Sequence, residues 1–219
     1  MKIDITKYDT IAFDCDGIIL DSNKVKTNAF YNATVAFDEN AAVELRDYHV
    51  ANGGISRFAK FKWVIEHYLS HLDYQTTLDT LLANYAKEVN KGLLECQVNP
   101  ALRKLKSLTP NASWLVVSGG AQTELREIFE TRQLSSFFEK GIFGSPDTKD
   151  DIFQRELSSG NIKGKALFIG DSKYDFRSSN KAGLDFVFIS EWTEVSDWRE
   201  FCKENAIPYT ESLMNLCRT

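Results

Sequence analysis

Two aspartates one residue apart, Asp14 and Asp16, follow the apolar run Ile11-Ala12-Phe13 and precede Gly17. A carboxylate pair at the end of an apolar stretch is costly to hold unless a positive charge sits beside it. A hard divalent cation with oxygen ligands is the simplest such partner. Taken alone, Asp-x-Asp-Gly serves equally as an acidic turn. Further along, Ser118-Gly119 follows Trp114-Leu115-Val116-Val117, Lys149 lies just beyond Gly141-Ile142-Phe143, and Asp171 with Asp175 follows Ala166-Leu167-Phe168-Ile169. A hydroxyl, a glycine amide, a lysine and several carboxylates are the parts that phosphate chemistry on a cation needs. The cation and the lysine neutralise phosphoryl oxygens, hydroxyl and amide hydrogen-bond them, and a carboxylate attacks phosphorus in line. Each part also has a plain structural use: Ser118 as a helix cap, Lys149 as a surface charge, Asp171 and Asp175 as first-turn helix acids. Four such uses falling in register would be a coincidence.

Strands must carry these residues. Apolar runs without polar alternation read as strands buried on both faces, and Gly17 lets the chain turn sharply after the first of them. Helical patterns alternate with the runs over 101–108, 121–132, about 149–157 and 174–182, the last stopped by Gly183. A further strand at 186–189, a helix around 197–204 and a short edge strand at 207–209 complete the tail. This alternation predicts an α/β fold with a Rossmann-like, mostly parallel sheet covered by helices on both faces, whose ligands bind outside the carboxyl ends of the strands. No convincing strand interrupts residues 23–94. Asp21 and Ser22 look like a cap for a helix over 23–37, and a second helix covers 41–48. Asn52-Gly53-Gly54 then breaks the chain before Ser56 caps a helix with Phe58, Phe61, Ile65 and Leu69 on one face. A fourth helix spans about 74–94. The chain therefore divides into a discontinuous α/β core, residues 1–21 and 95–219, and an inserted α-helical domain, residues 22–94.

The 219 residues carry 26 Lys+Arg against 31 Asp+Glu, and a net charge of -5 gives no general field to attract nucleic acid. Cys15, Cys96, Cys202 and Cys217 are scattered, form no Cys-x-x-Cys, and read as reduced thiols. The first four residues lack the apolar run of a signal peptide, and no stretch approaches the roughly 18 apolar residues of a membrane helix. A cytoplasmic protein with no membrane or nucleic-acid partner is expected.

Asp14-Cys15-Asp16-Gly17, Val117-Ser118-Gly119, Ser145-Pro146-Asp147-Thr148-Lys149 and Gly170-Asp171-Ser172-Lys173-Tyr174-Asp175 together resemble the four motifs of the haloacid dehalogenase-like hydrolase superfamily. The order fits, and the helical insert resembles the small cap domain between the first and second motifs of one large branch. The resemblance implies that Asp14 is a nucleophile forming an aspartyl-phosphate. Asp16 would protonate the leaving oxygen and then take a proton from the attacking water. It implies that Ser118 and the amide of Gly119 bind the transferring phosphoryl group, and that Lys149 steadies that group and the nucleophile. Mg²⁺ would be bound by Asp14, the backbone carbonyl of Asp16 and Asp171, with Asp175 an outer or alternative ligand. One departure is Ile18, where many members have Thr.

Dehalogenases of this superfamily lack the second aspartate, because a halide needs no proton to leave; Asp16 therefore favours phosphoryl transfer. The expected activity is that of a Mg²⁺-dependent phosphatase, a phosphoric monoester hydrolase, acting on a small phosphorylated metabolite such as a sugar or sugar-acid phosphate. Gly54-Ile55-Ser56-Arg57 resembles the Gly-Val-Ser-Arg of the β-phosphoglucomutase branch, whose arginine binds the distal phosphate. On that likeness Arg57 is a candidate substrate ligand, with Lys24 and Lys26 as further ones. That branch has a histidine where Lys26 stands, and its second cap lysine falls near Leu81, so the mutase equipment is incomplete. A phosphomutase and a non-catalytic scaffold are the alternatives. A receiver domain of a signalling relay would have no use for Asp16 or a helical cap. His67 and His71 lack the His-Glu-x-x-His order of a zinc protease and read as surface histidines. Trp192 and Trp198 read as packing anchors over the sheet.

Overall fold

The unbroken apolar runs form one parallel sheet in a computed structural model that describes residues 3–218. Residues 1, 2 and 219, which fall within the expected core bounds and the N-terminal reading, lie outside the described residues. The strands are β1 (Thr10–Phe13), β2 (Ser113–Ala121), β3 (Ile142–Ser145), β4 (Ala166–Gly170), β5 (Asp185–Ile189) and β6 (Tyr209–Thr210), in the spatial order β3-β2-β1-β4-β5-β6. All four residues of β1 are buried, as expected of the central strand. Phe13 pairs with Val116 of β2 and Ile169 of β4. That register brings Asp14 within one residue of the level of Ser118 and Asp171 at the carboxyl end of the sheet.

Alternate residues serve two cores, as the period of a strand requires. Ile11 and Phe13 join Trp114, Val116, Ile169 and Val187 on one face, where Phe13 and Trp114 rings lie 4.6 Å apart. Ala12 faces the other way, with Leu115, Phe168 and Phe188, under the helices α7 (Lys149–Ser158), α8 (Lys173–Ala182) and α9 (Trp198–Glu204). Trp198 stacks on Phe188 in that second core.

The insert is helical throughout: α1 (Asn23–Thr34), α2 (Glu39–Ala51), α3 (Arg57–Tyr68) and α4 (Tyr74–Glu95). Phe30 of α1 is its centre, with the rings of His49, Phe61 and Tyr85 at 4.5, 5.2 and 4.4 Å. The two chain crossings between insert and core run side by side. Asp21 donates to the carbonyl of Gln97, and Asn99 donates to those of Ile18 and Ile19. Ile18 is itself fully buried, so the residue standing where many relatives have Thr is packed as core. Two further helices, α5 (Leu102–Leu108) and α6 (Gln122–Thr131), complete the core domain. No described helix is long and apolar enough to cross a membrane, and all four cysteines are free.

Several local expectations need correction. Strand β2 continues through Ser118-Gly119-Gly120 to Ala121, where the helix over 121–132 is expected to begin, because Ala121 pairs with Ser145 after a register shift. Helix α2 is longer at both ends than 41–48, since Asp38 caps it by accepting from the Ala41 amide. Helix α1 stops at Thr34 rather than 37, where the threonine hydroxyl donates to the Phe30 carbonyl and its own carbonyl takes the Phe37 amide. Phe58 is 42% exposed; the buried face of α3 is Arg57, Lys60, Phe61, Val64 and Ile65. Two charged side chains lie on that face, Arg57 paired with Glu124 of the core and Lys60 against His49 of α2, which a hydrophobic pattern does not encode.

Phe168 is fully buried and meets Phe153 edge-on at 5.0 Å. Phe168→Ala is expected to cost about 3–5 kcal/mol of stability, measured by denaturant unfolding; a cost under about 1 kcal/mol would show that the second core does not hold the sheet.

Candidate active site

At the end of β1 the chain turns so tightly that the amides of Ile19 and Leu20 both reach the carbonyl of Cys15. Gly17 makes this turn at φ +76, and a Cβ there would lie 2.1 Å from Oδ2 of Asp171. Only glycine lets the β1 loop and the Asp171 carboxylate come this close. Asp14 is buried, and its Oδ1 accepts from the Cys15 amide at 2.8 Å and from Lys149 Nζ at 2.9 Å. Lys149 begins α7 and also pairs with Oδ1 of Asp175. The other oxygen of Asp175 accepts the amides of Asp171 and Ser172 at 3.2 and 3.1 Å, while Ser172 caps α8. Asp171 is steadied from the insert, where Asn23 Nδ2 donates to its Oδ2 at 2.8 Å and to the Trp192 carbonyl. Thr193 donates to the Asp171 carbonyl at 2.6 Å.

Asp14, Asp171 and Asp175 present carboxylate oxygens within 4.8 Å of one another. Burial pushes the Asp14 carboxyl up to about 7; Lys149 opposes this, and the Asp175 and Asp16 charges add to it. Burial and the charges of Asp14 and Asp175 drive Asp171 well above the usual carboxylate range. Burial alone would lower the Lys149 ammonium, but Asp14 and Asp175 outweigh it and hold the lysine charged. Three buried acids around one lysine, all hard oxygen donors, suit Mg²⁺. Both oxygens of Asp175 are engaged by Lys149 and backbone amides, so Asp14 and Asp171 are the carboxylates available to the ion.

Asp16 is placed differently. Its carboxylate pairs with Lys26 of α1 and accepts from Ser22 Oγ at 2.6 Å. Burial would raise its pKa, but Lys26 and Ser22 bring it below the ordinary value. Ser22 precedes α1 without making a side-chain cap; its hydroxyl is spent on Asp16. Of Asp16, only the backbone carbonyl is left for a cation. Ser118 is fully buried, and its Oγ accepts from the Gly120 amide at 3.0 Å, which leaves the hydroxyl hydrogen for another acceptor. A Cβ on Gly119 would lie 2.3 Å from the Gly54 carbonyl, so the glycine turn of the insert closes directly on that of the core. Between them lies a small cavity of about 60 Å³ bounded by Asp14, Asp16, Asp171 and Gly119 below and by the insert above.

Arg57 also reaches this cavity, but its guanidinium makes a bidentate pair with Glu124 of α6 and lies 4.6 Å over the Tyr85 ring. It clamps insert to core. Lys24 is exposed, as are His67 and His71. Lys60, His49, Asn23, Thr193 and Glu124 belong to the site or its support and carry no sequence motif. Lys60 had one signal: a lysine among Phe61, Val64 and Ile65 on the buried face of α3.

A family model described as haloacid dehalogenase-like hydrolase matches residues 11–189. Among solved structures, a predicted phosphatase from Clostridium acetobutylicum is similar at 24% identity and TM-score 0.74, covering 96% of this chain and 97% of that one. A Bacteroides vulgatus protein with a provisional β-phosphoglucomutase assignment shares 15% identity at TM-score 0.75, covering 97% and 87%. A Bacillus subtilis hydrolase of this type, described with bound magnesium and interdomain movement, shares 19% identity at TM-score 0.67, covering 97% and 98%. No curated protein matches this chain. The family match extends over most of the sequence, and the chain belongs to that family.

Two outcomes follow from this geometry. In chelator, the raised folded-state pKa of Asp171 means that the native protein keeps a proton the unfolded chain releases above about pH 4. Stability from this group is therefore lost as pH rises, and Asp171→Asn should match wild type near pH 4 and exceed its Tm near pH 7. Mg²⁺ should raise only the wild-type Tm, and a Tm gap independent of pH would contradict the crowding. Gly119→Ala should hold the insert open, read as a larger radius of gyration by small-angle scattering; an unchanged radius would show that the glycine contact does not control closure.

Proposed function

We propose that this haloacid dehalogenase-like hydrolase is a Mg²⁺-dependent phosphatase, a phosphoric monoester hydrolase acting on a small phosphorylated metabolite through an aspartyl-phosphate. The observation that carries the reading is Asp14, held at the end of the central strand by Lys149 and the Cys15 amide, facing a small closed cavity beside Asp171. The two donors fix the plane of the Asp14 carboxylate, which replaces rotational search by a preset line of attack. Mg²⁺ held by Asp14, Asp171 and the Asp16 carbonyl would neutralise phosphoryl charge in the transition state.

Asp14 forms a bond to phosphorus while the bond to the leaving oxygen breaks, and that oxygen takes its proton from Asp16. Water then attacks the phosphorus of the aspartyl-phosphate, Asp16 takes the proton from this water, and phosphate leaves as the Asp14 carboxylate is restored. The Lys149 ammonium, the Ser118 hydroxyl and the Gly119 amide bind the equatorial oxygens. The Lys26 pair keeps Asp16 ionised in the free protein. The proton it gives to the first leaving oxygen is therefore taken up from solvent as substrate binds, and the proton from the attacking water replaces it for the next turnover. A phosphoryl dianion brought next to Asp16 raises its proton affinity, and that supports its role as acid. The shut insert keeps bulk water from the site during the first step.

The phosphomutase reading expects Arg57 on the distal phosphate and a histidine at position 26, whereas Arg57 is committed to Glu124 and Lys26 is spent on Asp16. Retention of the full acidic set and Lys149 argues against a scaffold. The test is phosphate release from a panel of phosphorylated metabolites with and without chelator. Chelator and Asp14→Asn should each abolish turnover, and Asp16→Asn should lower kcat by roughly 10²–10⁴-fold. Wild-type-like turnover by Asp14→Asn would sink the mechanism.

A further inference from the structure

Four cations are buried in and around the cavity: Lys26, Arg57, Lys60 and Lys149. Lys26 pairs with Asp16, Arg57 with Glu124, and Lys149 with Asp14 and Asp175. Lys60 is 1% exposed, and among the described residues no carboxylate reaches ion-pair distance of it. Its Nζ instead meets Nδ1 of His49 at 2.7 Å and lies 5.4 Å from the Phe30 ring centre. Lys60 and His49 both line the cavity from the insert side, opposite Asp14 and Asp171.

A buried ammonium without a counter-ion is unfavourable, and the cost is relieved by loss of the proton or by an anion brought beside it. Burial and the nearby Lys26 charge bring the Lys60 pKa down to about 7. Burial and the charges of Lys60 and Lys26 keep His49 neutral, so its Nδ1 can accept from Lys60 while the other ring nitrogen carries the hydrogen. Glu194 also borders the cavity, but its carboxylate takes the Thr27 hydroxyl at 2.6 Å. Lys60 therefore has N–H groups to spare for a ligand, and His49 can add another.

We propose that Lys60 and His49 form a second anion subsite in the roof of the cavity, which binds a carboxylate or a second phosphate on the substrate while the reacting phosphoryl group lies at Asp14. This rests on the phosphatase reading for the position of the reacting group. The substrate class is then a phosphate ester with an anionic far end, spanning from Asp14 on the floor of the cavity to Lys60 and His49 in its roof. Arg57, tied to Glu124, positions the roof by clamping α3 to the core and leaves the anion to Lys60.

Phosphoglycolate, ethylene glycol bisphosphate and ethyl phosphate share a two-carbon frame and differ in the far group. Wild type should prefer one of the first two to ethyl phosphate in kcat/KM, and which one identifies the anion. In Lys60→Met that preference should fall by about tenfold, the worth of one charge-assisted hydrogen bond. The Met variant should also keep or raise the Tm, since an unpaired buried charge is removed; Lys60→Gln serves if it does not fold. Absence of a wild-type preference, or a fall of less than about threefold, overturns the subsite. If none of the three esters is turned over, the subsite is judged by calorimetric binding, and the phosphatase reading by the metabolite panel, where no phosphate release would fail it. In calorimetry, Asp14→Asn should bind phosphoglycolate or ethylene glycol bisphosphate about tenfold more tightly than Asp14→Asn with Lys60→Met does, and equal affinities for both ligands overturn the subsite.

Discussion

Three carboxylates and a lysine occupy one buried point beyond the central strand, and much of the core is arranged to make that tolerable. Asp14, Asp171 and Asp175 are buried close together, where their mutual repulsion is screened less than at the surface. Lys149 satisfies two of the three, and backbone amides of the α8 cap take the second oxygen of Asp175. The residual negative charge is what a hard divalent cation would neutralise. Glycines at 17 and 170 leave room for carboxylates where a side chain would collide with Asp171 and Asp175. The register of β1 with β2 and β4 then places Ser118 within one residue of the level of Asp14. A shift of one residue would turn each of these groups to the opposite side of the sheet.

The insert contributes more than a cover. Asn23 holds Asp171, Ser22 and Lys26 hold Asp16, and Arg57 reaches across to Glu124. With His49 and Tyr85, all four of its helices place a polar side chain on the cavity or its rim, and the site is complete only when the insert is shut. The close approach of Gly54 to Gly119 defines that shut state sterically. The two chain crossings between insert and core are bridged to each other at Leu20 and Val98. In the proposed reaction closure couples arrival of the substrate to assembly of the acid–base pair.

Charge in the roof is divided by commitment rather than by number. Lys26 and Arg57, both candidates for binding substrate, are each satisfied within the protein, whereas Lys60 depends on a neutral histidine. A cation already paired gains little from a ligand, because it must give up one anion to take another. Selectivity is therefore expected where compensation is incomplete.

The apolar runs, the turn glycines and the strand-end acids were legible in the sequence, because a buried strand and a tight turn leave local residue signatures. These determined the parallel sheet, the inserted helices and the set Asp14, Asp16, Ser118, Gly119, Lys149 and Asp171, together with the family to which the chain belongs. Helix ends and the extension of β2 were not legible, since caps and a register shift depend on which neighbour supplies the hydrogen bond. The partners of Lys26, Arg57 and Lys60 were hidden for the same reason. Asp16 is ten residues from Lys26, Glu124 is 67 residues from Arg57, and His49 sits on a different helix from Lys60. Sequence alone determined which groups stand at the strand ends; only the tertiary structure decided which of the charges above them are already spent, because pairing of buried ions is settled by packing across helices that no local pattern relates.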